Sequence, residues 1–376
     1  MLSMIILALA ISLIPVIIYL IYVLAVLFTD DTVALELDKY PDISVVIPTY
    51  NESEVIEHRI KNLVDDVSYP TNNIHVIVVD DGSSDSTVEL AKTAFNKYGI
   101  SGEVILKEQR SGTNVSVNLG VESANTDIVI TTDADVVFED NALERAIARL
   151  LSEDDIGAVC GELQPVLKKM SFTTSSEKAY RSVYGKMCTW ESGLHSTYCF
   201  NGPLIALKKE AFTPIPENHG ASDAGMALRI IRNGFRTVYE PQAKFYEYIT
   251  SDLKQQRRQK IRRAARLLEA TLYNKDMFSR KYGKFGVLVY PLRFAMFFIV
   301  PTTFFASVML WSYVLSQIQV IYGILFVLLF FFVLISGKIR PNLLSSFIWH
   351  QLYLFVSLFH MFKDKHIWKA VEREKV

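Results

Sequence analysis

The chain opens with a charge-free run from residue 4 to residue 28. A stretch of that length is enough to cross a bilayer as a helix. A signal peptide is the alternative reading. It needs a basic leader segment and a small-residue cleavage site, and neither is clear here. Apolar character returns after residue 284, and residues 294–313 and 320–336 each have the length of a span. Residues 343–362 are long enough too. There, however, Ser346, His350, Tyr353, Ser357, His360 and Asp364 recur three or four apart and make a polar stripe on a helix. Such a stripe faces a neighbouring helix, a water-filled path or the headgroup plane. The expected layout is an N-terminal anchor over 1–30 and a soluble domain over 31–250. Basic interfacial helices over 251–290 and a transmembrane or interfacial region over 291–376 follow. Two C-terminal spans return the tail Lys363-Asp364-Lys365-His366 to the domain's side, as the basic-residue rule favours; a third leaves it on the other.

Half of the 376 residues are apolar and the net charge is −1. That is too apolar for an ordinary soluble protein and too charged for a pure membrane bundle. The near-neutral total also argues against a nucleic-acid partner. Basic side chains concentrate over residues 254–266 and continue with Lys275, Arg280, Lys281 and Lys284, just before a membrane segment. Attraction to anionic headgroups follows, at about 1 kcal/mol per residue near the surface. Cys160, Cys188 and Cys199 are an odd, sparse set without Cys-x-x-Cys spacing. They predict a reduced compartment with no disulfide frame and no zinc site.

Residues 40–250 alternate strand and helix patterns. Strands are predicted at 43–48, 75–79, 104–107 and 128–132, and helices at 54–64, 85–98 and 111–123. This is the βαβα signature of an α/β fold with a mostly parallel sheet covered on both faces. Acidic clusters follow the β-branched runs: Asp80-Asp81-Gly82-Ser83-Ser84-Asp85 and Asp133-Ala134-Asp135. Open α/β sheets bind ligands at the C-terminal ends of such strands. An Asp-x-Asp pair there suits a hard divalent cation that also holds a diphosphate. A nucleotide-sugar site is the working expectation.

The segments Ile43-Ser-Val-Val-Ile-Pro-Thr-Tyr-Asn-Glu52, Val79-Asp-Asp-Gly-Ser-Ser-Asp-Ser-Thr87 and Asp133-Ala-Asp135 resemble inverting family 2 glycosyltransferases of the GT-A fold. Asn201-Gly202-Pro203-Leu204 resembles the loop that hyaluronan and cellulose synthases place near the acceptor sugar. Ser222-Asp223, followed by Leu228 and Arg229, resembles their Glu-Asp motif, and Gln259-Lys-Ile-Arg262-Arg263 sits where they carry Gln-x-x-Arg-Trp. The resemblance covers about residues 40–270, and the flanking apolar segments match the membrane-bound synthase branch.

The resemblance implies a role for each position. Pro48, Tyr50, Glu52, Asp80, Asp81, Arg110, Asp133, Gln259 and Arg262 would bind the donor. Tyr50 could stack on a base (ordinary packing is the alternative), and Glu52, Asp80 and Asp81 would accept from base and ribose. For Glu52, Asp80 and Asp81 the competing role is helix N-capping and turn formation. Asp133 and Asp135 would reach a Mg²⁺ or Mn²⁺ ion bridging the phosphates; their competing role is a turn capping the helix from Asn141. Asp223 would be the general base, and its competing role is a cap on a helix over 226–231. Asn201, Gly202, Pro203 and Arg263 would face the acceptor.

Three departures matter. Ser222 replaces the usual Glu. Arg263 replaces a sugar-stacking Trp, which favours a single transfer to a charged or lipid-linked acceptor over a threaded polymer. Gly112-Thr113 stands where relatives often have Gly-Lys, so Arg110 would take the place of that Lys. The leading expectation is inverting transfer from a nucleotide sugar, UDP favoured over GDP, to a lipid-borne or glycan acceptor at the cytosolic membrane face. The alternatives are a processive synthase of the hyaluronan type, and a non-catalytic membrane scaffold or transporter with a nucleotide-binding domain.

Overall fold

The structure, a computed structural model, describes residues 1–27, 29, 35–166, 172–217, 219–248, 253–339 and 342–361. The first helix, α1, is Leu2–Leu27. An eight-stranded sheet then forms from β1 (Ile43–Thr49), β2 (Ile74–Asp80), β3 (Ser101–Leu106), β4 (Ile128–Thr131), β5 (Val136–Phe138), β6 (Ile156–Val166), β7 (Ile205–Lys208) and β8 (Arg236–Tyr248), in the order β3-β2-β1-β4-β7-β6-β8-β5. Strands β3, β2, β1 and β4 are parallel neighbours. Their Val and Ile runs are continuous because both faces are covered. Beyond β4 the sheet is mixed: β7 is antiparallel to β4 and β6, β8 parallel to β6, and β5 antiparallel to β8. The sequence reading stopped at the parallel half.

One face is covered by α2 (Ile56–Lys61), α3 (Thr87–Tyr98) and α5 (Ala142–Leu151), whose Ile56, Ile60, Ala91, Phe95, Leu143 and Ile147 pack on Ile43, Val45, Ile47 and Val78. The other is covered by α4 (Thr113–Ser123), α6 (Phe172–Leu194), α7 (Ser222–Arg232) and α8 (Leu253–Tyr273). Helix α4 lies close on β1 and β2 because Gly120 has no side chain there; a Cβ would collide with Val46.

This second core runs without a break into the apolar helices. Tyr22, Leu268, Val289, Phe297 and Leu354 belong to it. Among the described residues, three helices are long and apolar enough to cross a membrane: Leu2–Leu27, Phe285–Ile318 (α9) and Val320–Gly337, the last within α10 (Val320–Ile339). The second is 34 residues long, starting well before the predicted residue 294. Its extra turns are buried against the domain at Phe285, Val289 and Tyr290.

Helix α11 (Leu343–His360) carries the polar stripe. Its Phe347 and Phe355, eight residues apart, touch the adjacent residues Phe304 and Phe305 of α9. The stripe meets α8: Ser357 Oγ donates to the Ile261 carbonyl at 3.1 Å, and Lys260 lies 5.9 Å from the Tyr353 ring centre. Phe28, the boundary at 250/251, Asp364 and the rest of the basic tail lie outside the described residues.

Candidate active site

The site lies along the C-terminal edge of β1, β2 and β4. Three regions meet there.

At the first, β1 ends in Thr49 and the chain turns through Tyr50, Asn51 and Glu52. Asn51 takes a left-handed backbone (φ 55°), a conformation Asn tolerates better than most residues. It is held there from both sides. Its N–H donates to Ser83 Oγ at 2.9 Å, and its Oδ1 accepts from the Ser84 N–H at 2.8 Å. The Glu52 N–H donates to Thr87 Oγ1 and the Ser53 N–H to Asp85 Oδ2. Pro48 is the penultimate residue of β1, opposite Val79.

Asp80 and Asp81 do more structural work than the sequence reading gave them. Asp80 Oδ2 accepts from the N–H groups of Gly82 and Ser83 at 3.1 and 2.9 Å. Asp81 accepts from Lys107 Nζ at 2.6 Å and from the Ser111 and Gly112 N–H groups at 2.8 and 2.9 Å. The turn-forming alternative is realised at Asp80, while Asp81 braces the distant loop that leads into α4. Arg110, expected toward the phosphates, lies instead with its guanidinium 3.4 Å from the Tyr50 ring centre and its Nε 4.0 Å from Asp81. Cation–π attraction and the carboxylate hold it there.

The second region is the link from β4 to β5, which carries Asp133 and Asp135. Strand β5 intervenes before α5, so neither acid caps that helix. Solvent reaches Asp133, but protein surrounds it deeply. Desolvation, with Asp135, Glu247 and Glu52 nearby, pushes its carboxyl up to about 7. Helix α8 passes over this end. Burial and the neighbouring Arg263 and Arg266 lower Arg262 to about 10, while Asp133 and Glu247 pull it back up. Arg263, expected to face the acceptor, forms an ion pair with Glu247. That carboxylate raises its pKa, and Asp133 and Asp135 add to the effect. Gln259, half-buried, is on the same helix one turn earlier.

The third region holds Asp223. Helix α7 begins at Ser222 with Ala221 as its N-cap, so Asp223 is inside the first turn and is not the cap. Its Oδ1 accepts from the Ala224 N–H at 2.8 Å. Burial raises its pKa, against the pull of the Ala224 N–H, Arg266 and Arg263. A Cβ built on Gly202 (φ 62°) would be 3.4 Å from Asp223 Oδ2, so the Asn201-Gly202-Pro203 loop runs directly beside the carboxylate. Asn201 is fixed by Arg181 Nη1 at 3.0 Å and reaches the Gly161 carbonyl and Tyr239 hydroxyl at 3.3 and 3.4 Å. Arg266 donates to the Gly220 carbonyl, which ties α8 to the segment leading into Asp223.

Comparison with known proteins gives this arrangement a family. Residues 44–212 match the family described as Glycosyl transferase family 2. The chain carries a family 2 glycosyltransferase domain. The probable glycosyltransferase YdaM of Bacillus subtilis is 33% identical over 128 residues, 34% of this chain and 30% of that protein. The poly-beta-1,6-N-acetyl-D-glucosamine synthase of Staphylococcus aureus is 27% identical over 273 residues, 69% of this chain and 63% of the synthase. The chain thus spans under two thirds of either relative. Among solved structures, the mannosyltransferase PcManGT from Pyrobaculum calidifontis, in complex with GDP-Man and Mn²⁺, superposes with a TM-score of 0.79 at 22% identity. It covers 95% of this chain and 98% of that one. That likeness establishes the GT-A-like fold across nearly the whole length.

Several side chains of the family 2 domain and its roof had no sequence signal. Glu247 reaches the site only because β5 pairs with β8, setting Val136 opposite Glu247. Arg181 gets its partner only through packing, and Arg266 was legible only as the end of the basic run over 254–266.

Proposed function

We propose that the chain transfers a sugar, with inversion, from a nucleoside-diphosphate sugar to a lipid-borne acceptor at the cytosolic face of a membrane. The observation that carries this reading is the single cleft edge that joins Asp133 and Asp135 to Asp223, roofed by a helix that rests on the membrane-side helix α11.

The donor set fits a hard divalent cation. Two carboxylates of one short loop repel each other, and a cation relieves that repulsion. No group of three His, Cys, Asp or Glu side chains able to hold a metal occurs among the described residues. Magnesium-type sites of this kind use one or two carboxylates and leave the other positions to phosphate oxygens and water. A Mg²⁺ or Mn²⁺ ion on Asp133 and Asp135 would supply counter-charge for the diphosphate. Arg262 adds a fixed positive charge at the same end. Asp223 takes the proton from the acceptor hydroxyl as that oxygen bonds to the anomeric carbon and the bond to the diphosphate breaks. Gly202 leaves room beside the base for the acceptor. Tyr50, Glu52, Asp80 and Asp81 form the nucleoside end, with UDP favoured over GDP.

Support for a lipid-borne acceptor comes from α8. Its first turns expose Lys254, Arg257 and Arg258 near the apolar helices, where anionic headgroups would meet them. A processive synthase is the second reading, favoured by the name of the Staphylococcus aureus relative. A thermal-shift panel of nucleoside diphosphates with and without Mn²⁺ tests the donor half. A ligand at a hundredfold excess over Kd stabilises the native state by about 2.7 kcal/mol, so one nucleotide should stand out, and only with the metal. Equal, metal-independent behaviour of all nucleotides would leave the scaffold alternative standing.

A further inference from the structure

Behind the Asp133–Asp135 loop the chain buries a complete guanidinium. Arg59 of α2 is 0% exposed. Its Nη1 donates to Asn62 Oδ1 at 2.6 Å and its Nη2 to Thr132 Oγ1 at 3.3 Å. Its guanidinium carbon lies 3.8 Å from the Phe138 ring centre. Its Nε has no hydrogen-bond partner among the described residues. Asn62, also fully buried, closes the other side. Its Oδ1 accepts from the Phe138 N–H at 2.9 Å and its Nδ2 donates to the Phe138 carbonyl at 3.2 Å. Asn62 opens a π-helical turn, Asn62–Asp66, a local distortion often found at functional sites.

Thr132 is the residue immediately before Asp133, and Phe138 ends the short strand that follows Asp135. Arg59 and Asn62 therefore grip both ends of the segment that carries the two carboxylates. A buried cation with one N–H unmatched is costly to fold around. A cation seated next to two carboxylates recovers part of that cost, and Asp133 and Asp135 do stabilise its charge against burial.

We propose that Arg59 and Asn62 are positioning residues for the divalent-cation site, fixing the separation of the Asp133 and Asp135 carboxylates from behind. They touch neither cation nor substrate. This inference rests on the metal reading given under Proposed function. Side chains that orient metal ligands in this indirect way change metal affinity about 10–100-fold when removed.

The test is a Mn²⁺ titration of the purified full chain with a nucleoside diphosphate present, read by the loss of the free-Mn²⁺ electron paramagnetic resonance signal. The variants are Arg59→Met, Arg59→Lys, Asn62→Ala and Thr132→Val, each with its folded fraction measured by circular dichroism. Arg59→Met and Asn62→Ala should weaken Mn²⁺ binding about 10–100-fold. Arg59→Lys should restore most of the loss, and the near-isosteric Thr132→Val should show a smaller loss in the same direction. Should Arg59→Met fail to fold, Thr132→Val keeps the test alive, because it removes the hydroxyl that accepts from Arg59 Nη2 at 3.3 Å and donates to the Asp133 carbonyl at 3.4 Å, the link from the guanidinium to the carboxylate loop. Unchanged Mn²⁺ affinity in the folded variants, with normal wild-type binding, overturns the clamp and leaves the metal reading intact. A wild type that binds no Mn²⁺ overturns both.

Discussion

Replacing Arg293 with Met should destabilise the protein more than any surface change. Arg293 is 1% exposed and Glu191 0%. The guanidinium donates twice to the carboxylate, Nε to Oε1 at 2.5 Å and Nη2 to Oε2 at 3.1 Å. Tyr22 of α1 and Thr197 complete the shell at 2.9 and 2.6 Å. This cluster fastens α1, α6 and α9 to one another. In Arg293→Met the carboxylate stays buried with only the two hydroxyl donors. Two hydrogen bonds to a charged group at about 1.5–3 kcal/mol each give about 3–6 kcal/mol, which matches the about 3–5 kcal/mol typical of breaking a buried ion pair. The remaining donors place the expected cost near 3 kcal/mol. Denaturant unfolding of the detergent-solubilised protein measures it. The double variant Glu191→Met/Arg293→Met removes the stranded charge and should recover at least half of the loss. A single-variant cost below about 1 kcal/mol, or a double variant whose cost is the plain sum of the singles, would refute this account of the pair.

The other predictions concern chemistry. Asp223→Asn keeps the size of the base but cannot take the proton, so turnover should fall about 10²–10⁴-fold while donor Kd holds; a collapse of donor affinity would make Asp223 a binding residue. Burial raises the Asp223 carboxyl, and the base works only ionised. Activity should thus be full above that raised value and fall with pH through it, giving a pH–rate profile whose acid limb lies above the ordinary carboxylate range. Gly202→Ala forces a Cβ into a left-handed residue 3.4 Å from Asp223 Oδ2. It should cost about 1–2 kcal/mol of stability and, by filling the space beside the base where the acceptor is proposed to sit, lower kcat/KM about 10²-fold. Asp135→Ala should abolish transfer and weaken nucleoside-diphosphate binding, and full activity in EDTA would contradict the metal assignment.

The sequence carried the parallel half of the sheet because β1, β2 and β4 are rich in Val and Ile, with acids at or just past the ends of β2 and β4. Boundaries moved where local polar bonds intervened. Helix α3 starts at Thr87, not Asp85, since the Asp85 carboxylate accepts from Thr87 and Ser53 ahead of the helix. Edge strand β3 was read three residues short because Ser101 is exposed and Gly102 is a weak strand former. The antiparallel half left no such mark, since β7 and β5 are short and their identity depends on partners far along the chain. The same holds for the site. Asp133, Asp135 and Asp223 were legible as acids in a known pattern. The Arg263–Glu247 pair, the Arg110–Tyr50 stack and the grip of Arg59 and Asn62 on Thr132 and Phe138 each join residues that only the fold brings together.

The central claim is sugar transfer from a nucleotide donor to a lipid at one cleft edge. The most direct measurement is to incubate the purified chain in lipid nanodiscs with Mn²⁺ and radiolabelled nucleoside-diphosphate sugars, then separate lipid-extractable label from water-soluble polymer by size. The account predicts label in the lipid phase carrying one or a few sugars, lost in Asp223→Asn. Long water-soluble chains made without a lipid acceptor, or no transfer from any donor, would contradict it.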